Sequence, residues 1–165
     1  MKNYFIFLTL LFILSGCSSK NAFDNFNMSK EQELGISSLQ SVKVASQNGV
    51  VAGVFSSIYL NEVYPKSFSD SEYFFIYVYL KDSGSMYNPN QISEENLNIK
   101  LNGKTPIKIQ KLPKDNKFSN LIEIRSKWNK YYMVAFSHEK KDSLNLVFEN
   151  EQSSSAAIKY QKDEL

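Results

Sequence analysis

The sequence predicts an all-β chain, an antiparallel β-sandwich with at most a short N-terminal helix. Short apolar runs recur at near-even intervals between polar turn segments, the pattern of a sandwich or barrel. Two Asn-Gly pairs, Asn48-Gly49 and Asn102-Gly103, each lie between such runs and signal hairpins. The 10 Tyr and 12 Phe among 165 residues favour strands, and no long stretch repeats with a helical period.

The folded part is expected to begin at Ser29. Ser29-Lys30-Glu31-Gln32 fits a capping box, in which the serine hydroxyl and the Gln32 amide satisfy each other's backbone donors. A short helix from Lys30 to Leu34, stopped by Gly35, follows from it. Next come Leu39–Ser46 and Val50–Leu60 around Gln47-Asn48-Gly49. A three-residue loop with Gly49 at positive φ opposes Ser46 to Val50, Val44 to Ala52 and Val42 to Val54, which puts the apolar residues on one face. A two-residue loop would instead set Val44 against Gly53 and Lys43 against Val54.

The clearest strand is Tyr73–Leu80, YFFIYVYL. Its even positions, Phe74, Ile76, Val78 and Leu80, suit a core. Turn chemistry follows from Asp82 to Asn90. Around Asn102-Gly103 the flanks are Leu97–Leu101 and Lys104–Ile109. Side-chain parity again favours a three-residue loop, and Pro106 marks the second arm as an edge strand. The remaining candidate strands are Leu121–Arg125, Tyr131–Phe136, Leu144–Phe148 and Ala156–Gln161, the last three separated by the polar stretches His138–Ser143 and Asn150–Ser154.

Ahead of this domain the chain reads as an address. Lys2 precedes a nearly unbroken apolar run from Tyr4 to Leu14. This is the charged-then-apolar order of a secretory signal, too short to span a membrane comfortably as a helix. Leu14-Ser15-Gly16-Cys17 follows at once. That tetrapeptide resembles the lipobox of bacterial lipoproteins. The resemblance implies cleavage before Cys17, a diacylglyceryl thioether on its sulfur, and an acyl chain such as palmitate on the new amino terminus. Two or more chains anchor stably. Ser18 in place of an aspartate implies the outer membrane. The expected organisation is a signal peptide over 1–16, a lipidated N-terminus and tether over 17–28, and one sandwich domain over 29–165. The chain's other end, Lys162-Asp163-Glu164-Leu165, matches the endoplasmic-reticulum retention signal. The two addresses exclude each other, and only the lipobox sits in its required context.

The exported domain also resembles the small Campylobacter-type lipoproteins with a variant immunoglobulin-like fold. Carrying the resemblance are Leu14–Cys17, the aromatic strand Tyr73–Leu80, and the closing pair Tyr131–Phe136 and Leu144–Phe148. It implies an immunoglobulin-like variant of the sandwich and leaves the function open.

Composition narrows the partners. Removing residues 1–16 takes Lys2 and no acid, leaving 18 basic against 17 acidic residues, a net +1. Nucleic acid calls for a marked basic excess, so none is expected as a partner. Cys17 is the only cysteine and His138 the only histidine. No metal cluster, nucleophile elbow or phosphate loop is recognisable. Glu94-Glu95 reads as a loop or helix start, and His138 as a solvated turn residue. The expectation is therefore no cofactor, no metal and no enzyme, but a membrane-anchored binding module. Its partner would be another envelope protein or a second copy; a structural accessory subunit is the alternative.

The candidate contact residues are aromatic. Tyr73, Phe75, Tyr77 and Tyr79 share the odd face of their strand, where tyrosine's apolar body and polar tip suit an interface. The competing account covers that face with another segment, since an unbroken apolar run usually means a strand buried on both faces. Trp128 and Tyr131, with Tyr132, form a second group, read either as a core plug or as a stacking site.

Overall fold

A computed structural model describes residues 29–80, 98–122, 128–149 and 153–162. The signal segment, Cys17, the tether, the Asp82–Asn90 turn, Glu94-Glu95 and the last three residues lie outside them. Among the described residues the protein is all-β, with one helix of 9 residues, α1 (Lys30–Ser38).

The helix starts as the capping box requires. Ser29 Oγ accepts from the Gln32 amide at 3.2 Å, and Gln32 Oε1 accepts from the Ser29 amide at 3.0 Å. It does not stop at Gly35. The chain stays helical to Ser38 and leaves through Leu39 with extended φ and ψ, so no left-handed cap is needed. Gly35 serves close packing instead: a Cβ there would lie 2.9 Å from Leu121 Cδ2.

The strands are β1 (Gln40–Ser46), β2 (Val51–Tyr59), β3 (Glu72–Leu80), β4 (Asn98–Leu101), β5 (Lys108–Leu112), β6 (Lys130–Phe136), β7 (Ser143–Glu149), β8 (Ser153–Ser155) and β9 (Ile158–Gln161). A short helix α2 (Leu60–Val63) follows β2, and a 3-10 turn (Ser119–Leu121) precedes β6. The strands form one curled antiparallel sheet in the order β4-β7-β8-β1-β2-β3-β6-β5, with β9 joined to β7. Its two halves close on a shared core in a sandwich-like arrangement. Val44, Phe55, Phe74 and Tyr132 come from one half, and Leu101, Leu146, Phe148 and Tyr160 from the other.

The first hairpin keeps its three-residue loop, with the Ser46 amide donating to Val50 O at 2.9 Å and Gly49 at φ +79°. Its expected register holds only beside the loop. Ala45 faces Val51, yet Val44 faces Gly53 and Val42 faces Phe55. Ala52 is the extra residue of a β-bulge, and a bulge of one residue swaps the faces of everything beyond it. Val54, expected beside Val42, lies on the opposite face next to Lys43. Glycine is required at 53, because a Cβ there would come 2.1 Å from the Tyr79 carbonyl oxygen.

The second Asn-Gly also departs from expectation. Asn102 and Gly103 both have positive φ, +50° and +81°, and Leu101 bridges Lys104 directly. This is a two-residue turn of the hairpin kind, but the hairpin ends after one bridge. The chain passes Pro106 and pairs β5 with β6, leaving β5 at one end of the sheet, which keeps the second arm an edge strand. Asn102 instead fastens β7, its Oδ1 accepting from the Asn145 backbone and side chain at 3.0 and 3.1 Å. Two further expectations fail. Leu121 ends a 3-10 turn and does not begin a strand, since it and Ile122 fill a second core; residues 123–127 lie outside the description. Ser153 and Ser154, read as part of the polar stretch Asn150–Ser154, lie with Ser155 in strand β8, held by backbone pairing to β1 and β7 in place of an apolar face.

Candidate functional site

The odd face of β3 is built from opposed environments. Phe75 is fully buried and Tyr131 nearly so, their rings stacked at 6.2 Å and 7°. Ile58, Leu60, Phe118 and Leu121 close over them, with Leu34 and Leu39 packed alongside. The segment around α1, α2 and the 3-10 turn therefore covers this half of the face, as the two-sided apolar run foretold. Phe75 and Tyr131 are core residues, out of a partner's reach.

Tyr73 and Tyr77 are half-buried. Tyr73 packs on Phe68 at 4.9 Å, in a ring cluster with Phe118 over which Lys117 Nζ lies at 4.9 Å. Burial pushes the Tyr77 hydroxyl above its ordinary pKa despite hydrogen bonds to Ser56 and Ser41. Those two serines bond each other at 2.8 Å across β1 and β2.

Among the described residues the cover ends past Tyr77. Tyr79 is 39% exposed, and its cross-strand neighbour Val54 is also 39% exposed. Lys43 stands beside Val54 on β1. Val51 is exposed nearby along β2, and Trp128, two residues before β6, is 67% exposed. Trp128 and Tyr131 thus do not form one group: the first faces solvent and the second is core, together with Tyr132.

The densest polar chemistry lies at the opposite end of β3 and includes residues that sequence reasoning passed over. Glu72, its first residue, is 1% exposed. Tyr59 Oη donates to Glu72 Oε2 at 2.5 Å. On Oε1 converge Lys162 Nζ at 2.5 Å and the Glu139 amide at 2.8 Å, with His138 Nδ1 at 3.2 Å. Lys162 Nζ also donates to Glu139 O at 2.5 Å, and Lys104 Nζ to Glu139 Oε1 at 2.5 Å. Burial alone would raise the Glu72 pKa, but the donors from Lys162, Tyr59 and Glu139 outweigh it and hold the carboxyl below its ordinary value. Lys104 likewise holds Glu139 down. Tyr59 is pushed far up, by burial first and then by Glu72. His138 is an exposed turn residue, as read, but its ring edge reaches this node.

Among the described residues no group of His, Cys, Asp and Glu is arranged to hold a metal, and no helix is long and apolar enough to cross a membrane. Compared with known protein families, curated proteins and solved structures, the chain gives no match.

Proposed function

We propose that the protein is a lipid-anchored bacterial envelope lipoprotein, held by Cys17, whose sandwich domain works by binding. The observation that carries the anchor is Leu14-Ser15-Gly16-Cys17 directly after the apolar run. Residues 18–28 then give a tether reaching at most about 40 Å, enough to stand the domain off a membrane surface. The outer membrane is the proposed location, in line with Ser18. Lys162, the first residue of the Lys162-Asp163-Glu164-Leu165 stretch, is one of the partners of Glu72.

For binding, the support is the uncovered end of the aromatic face, where Tyr79 and Val54 sit side by side next to Lys43. Trp128 supplies a further exposed aromatic surface. The partner class is another envelope protein or a second copy of this chain. The role is non-enzymatic in this reading; the Glu72 cluster, the densest charged group among the described residues, is engaged by its own donors and acts as structure. An accessory subunit of a larger envelope complex is the alternative.

Fractionation tests the anchor. Wild-type protein should stay with the membrane through high salt and carbonate, whereas Cys17→Ser should be released; firm retention of that variant would refute lipid as the tether. A photo-crosslinker at position 79 in intact envelopes tests the surface. One adduct of constant mass supports the contact role, and no adduct at 79 or 128 refutes it. A stable stoichiometric assembly would identify the subunit alternative.

A further inference from the structure

Glu72 joins the β6–β7 loop and Lys162, just past β9, to the sheet. The loop between β6 and β7 is bounded by buried Phe136 and Leu144, and the C-terminal end by buried Tyr160, whose hydroxyl donates to Ser57 O at 2.6 Å. The β7–β9 ladder ends at Ser143 and Gln161, and beyond it residues 137–142 and Lys162 are tied to each other through the Lys162 amide on Asp142 O at 2.8 Å and Lys162 Nζ on Glu139 O. They are tied to the sheet through Glu72 Oε1, which takes the Glu139 amide and Lys162 Nζ and lies beside His138. Among the described residues, Lys104 on Glu139 adds a second charged tie.

We propose that Glu72 is a charge-operated latch: its carboxylate fastens the β6–β7 loop and the chain end at Lys162 to the sheet, and neutralising it frees both while β3 and β6 stay folded. A neutral side chain of the same shape keeps the hydrogen bond to Tyr59 but loses most of its pull on the Lys162 ammonium. That ammonium then gains more from water than from a single neutral oxygen, because a charge desolvated without its counter-charge is costly. Tyr160 and Ile158 remain in the core, so the release is local.

The charged and titratable groups around the latch are Tyr59 from β2, Lys162 from the chain end and His138 and Glu139 from the loop. Lys104 and Lys141 act through Glu139, and Glu62 of α2 acts on Tyr59. Glu139 also discharges in acid, so acid alone does not isolate Glu72. Glu72→Gln at pH 7 does.

The test is amide hydrogen exchange, resolved by peptide, on the full chain in detergent micelles at pH 7. In Glu72→Gln, exchange over 137–142 and at 162 should rise at least tenfold more than over Phe74–Val78 and Tyr131–Phe136. Unchanged exchange in the loop and chain end would overturn the latch, and so would a uniform rise through β3 and β6. Should Glu72→Gln not fold, Lys162→Met carries the same test from the other partner: a rise confined to the loop and chain end supports the latch, and either other pattern overturns it.

Discussion

The two ends of β3 invert the usual rule of charge outside and aromatics inside. Glu72, at one end, is 1% exposed, whereas Tyr79, near the other, is 39% exposed. Residue type does not decide this; the neighbouring elements do. At Glu72, β2, the β6–β7 loop and the chain end each bring a donor, so a buried carboxylate keeps its charge. At Tyr79 the neighbours are Val54 and then Lys43, and among the described residues no packed element closes the face as Phe118 and Leu121 do over Phe75. One strand therefore carries a structural lock, a core segment and an exposed stretch of one face in sequence.

The comparison breaks first at Glu72. Glu72→Ala leaves the Lys162 ammonium and the Tyr59 hydroxyl without their acceptor, and chemical denaturation should show a loss of about 3–5 kcal/mol; a loss within about 0.5 kcal/mol would make the node ornamental. Next is the middle of the strand. Phe75→Ala empties the second core and should cost about 3–4 kcal/mol. Tyr77→Ser, half in that core, should cost about 1–2 kcal/mol, a visible drop in melting temperature that marks it as packing.

The acid limb sharpens the same contrast. Because Glu72 and Glu139 have depressed values in the fold, their stabilisation is complete above the unfolded carboxylate pKa, about 4.3, and is lost as pH falls through the lower folded values. Stability of the wild type should therefore decline below that point, and the decline should be shallower in Glu72→Gln. Equal slopes would assign the acid response elsewhere. The smallest effect belongs to Tyr79→Ser, whose stability should stay within about 0.5 kcal/mol of wild type while crosslinking or co-purification with the partner falls. A multi-kcal/mol loss there would show that Tyr79 is core.

Much of this was legible in the residues. Alternation placed Phe74, Ile76 and Val78 inward, Asn48-Gly49 set a three-residue loop, Ser29 and Gln32 marked the helix start, and an apolar run on both faces of β3 pointed to cover. What escaped has physical causes. A bulge at Ala52 has no composition of its own, and it moves Val54 from the core face to the open one. Asn102-Gly103 forms its turn locally, but where the chain goes next is set by Pro106 and by the pairing of β5 with β6. Ser153–Ser155 owes its strand to backbone partners on both sides. The Glu72 node is a meeting of residues 13, 67 and 90 positions apart, and no local pattern announces so distant a convergence. Nor does the run YFFIYVYL show that its cover stops before Tyr79.

All of this becomes envelope biology only if sulfur chemistry at one position holds the domain at a membrane. Intact-mass spectrometry of the protein extracted from its native membrane tests that directly. The account predicts a chain beginning at Cys17 that is heavier than its amino acids by a diacylglyceryl group and an acyl chain; a free Cys17 thiol, or a chain still starting at Met1, would contradict it.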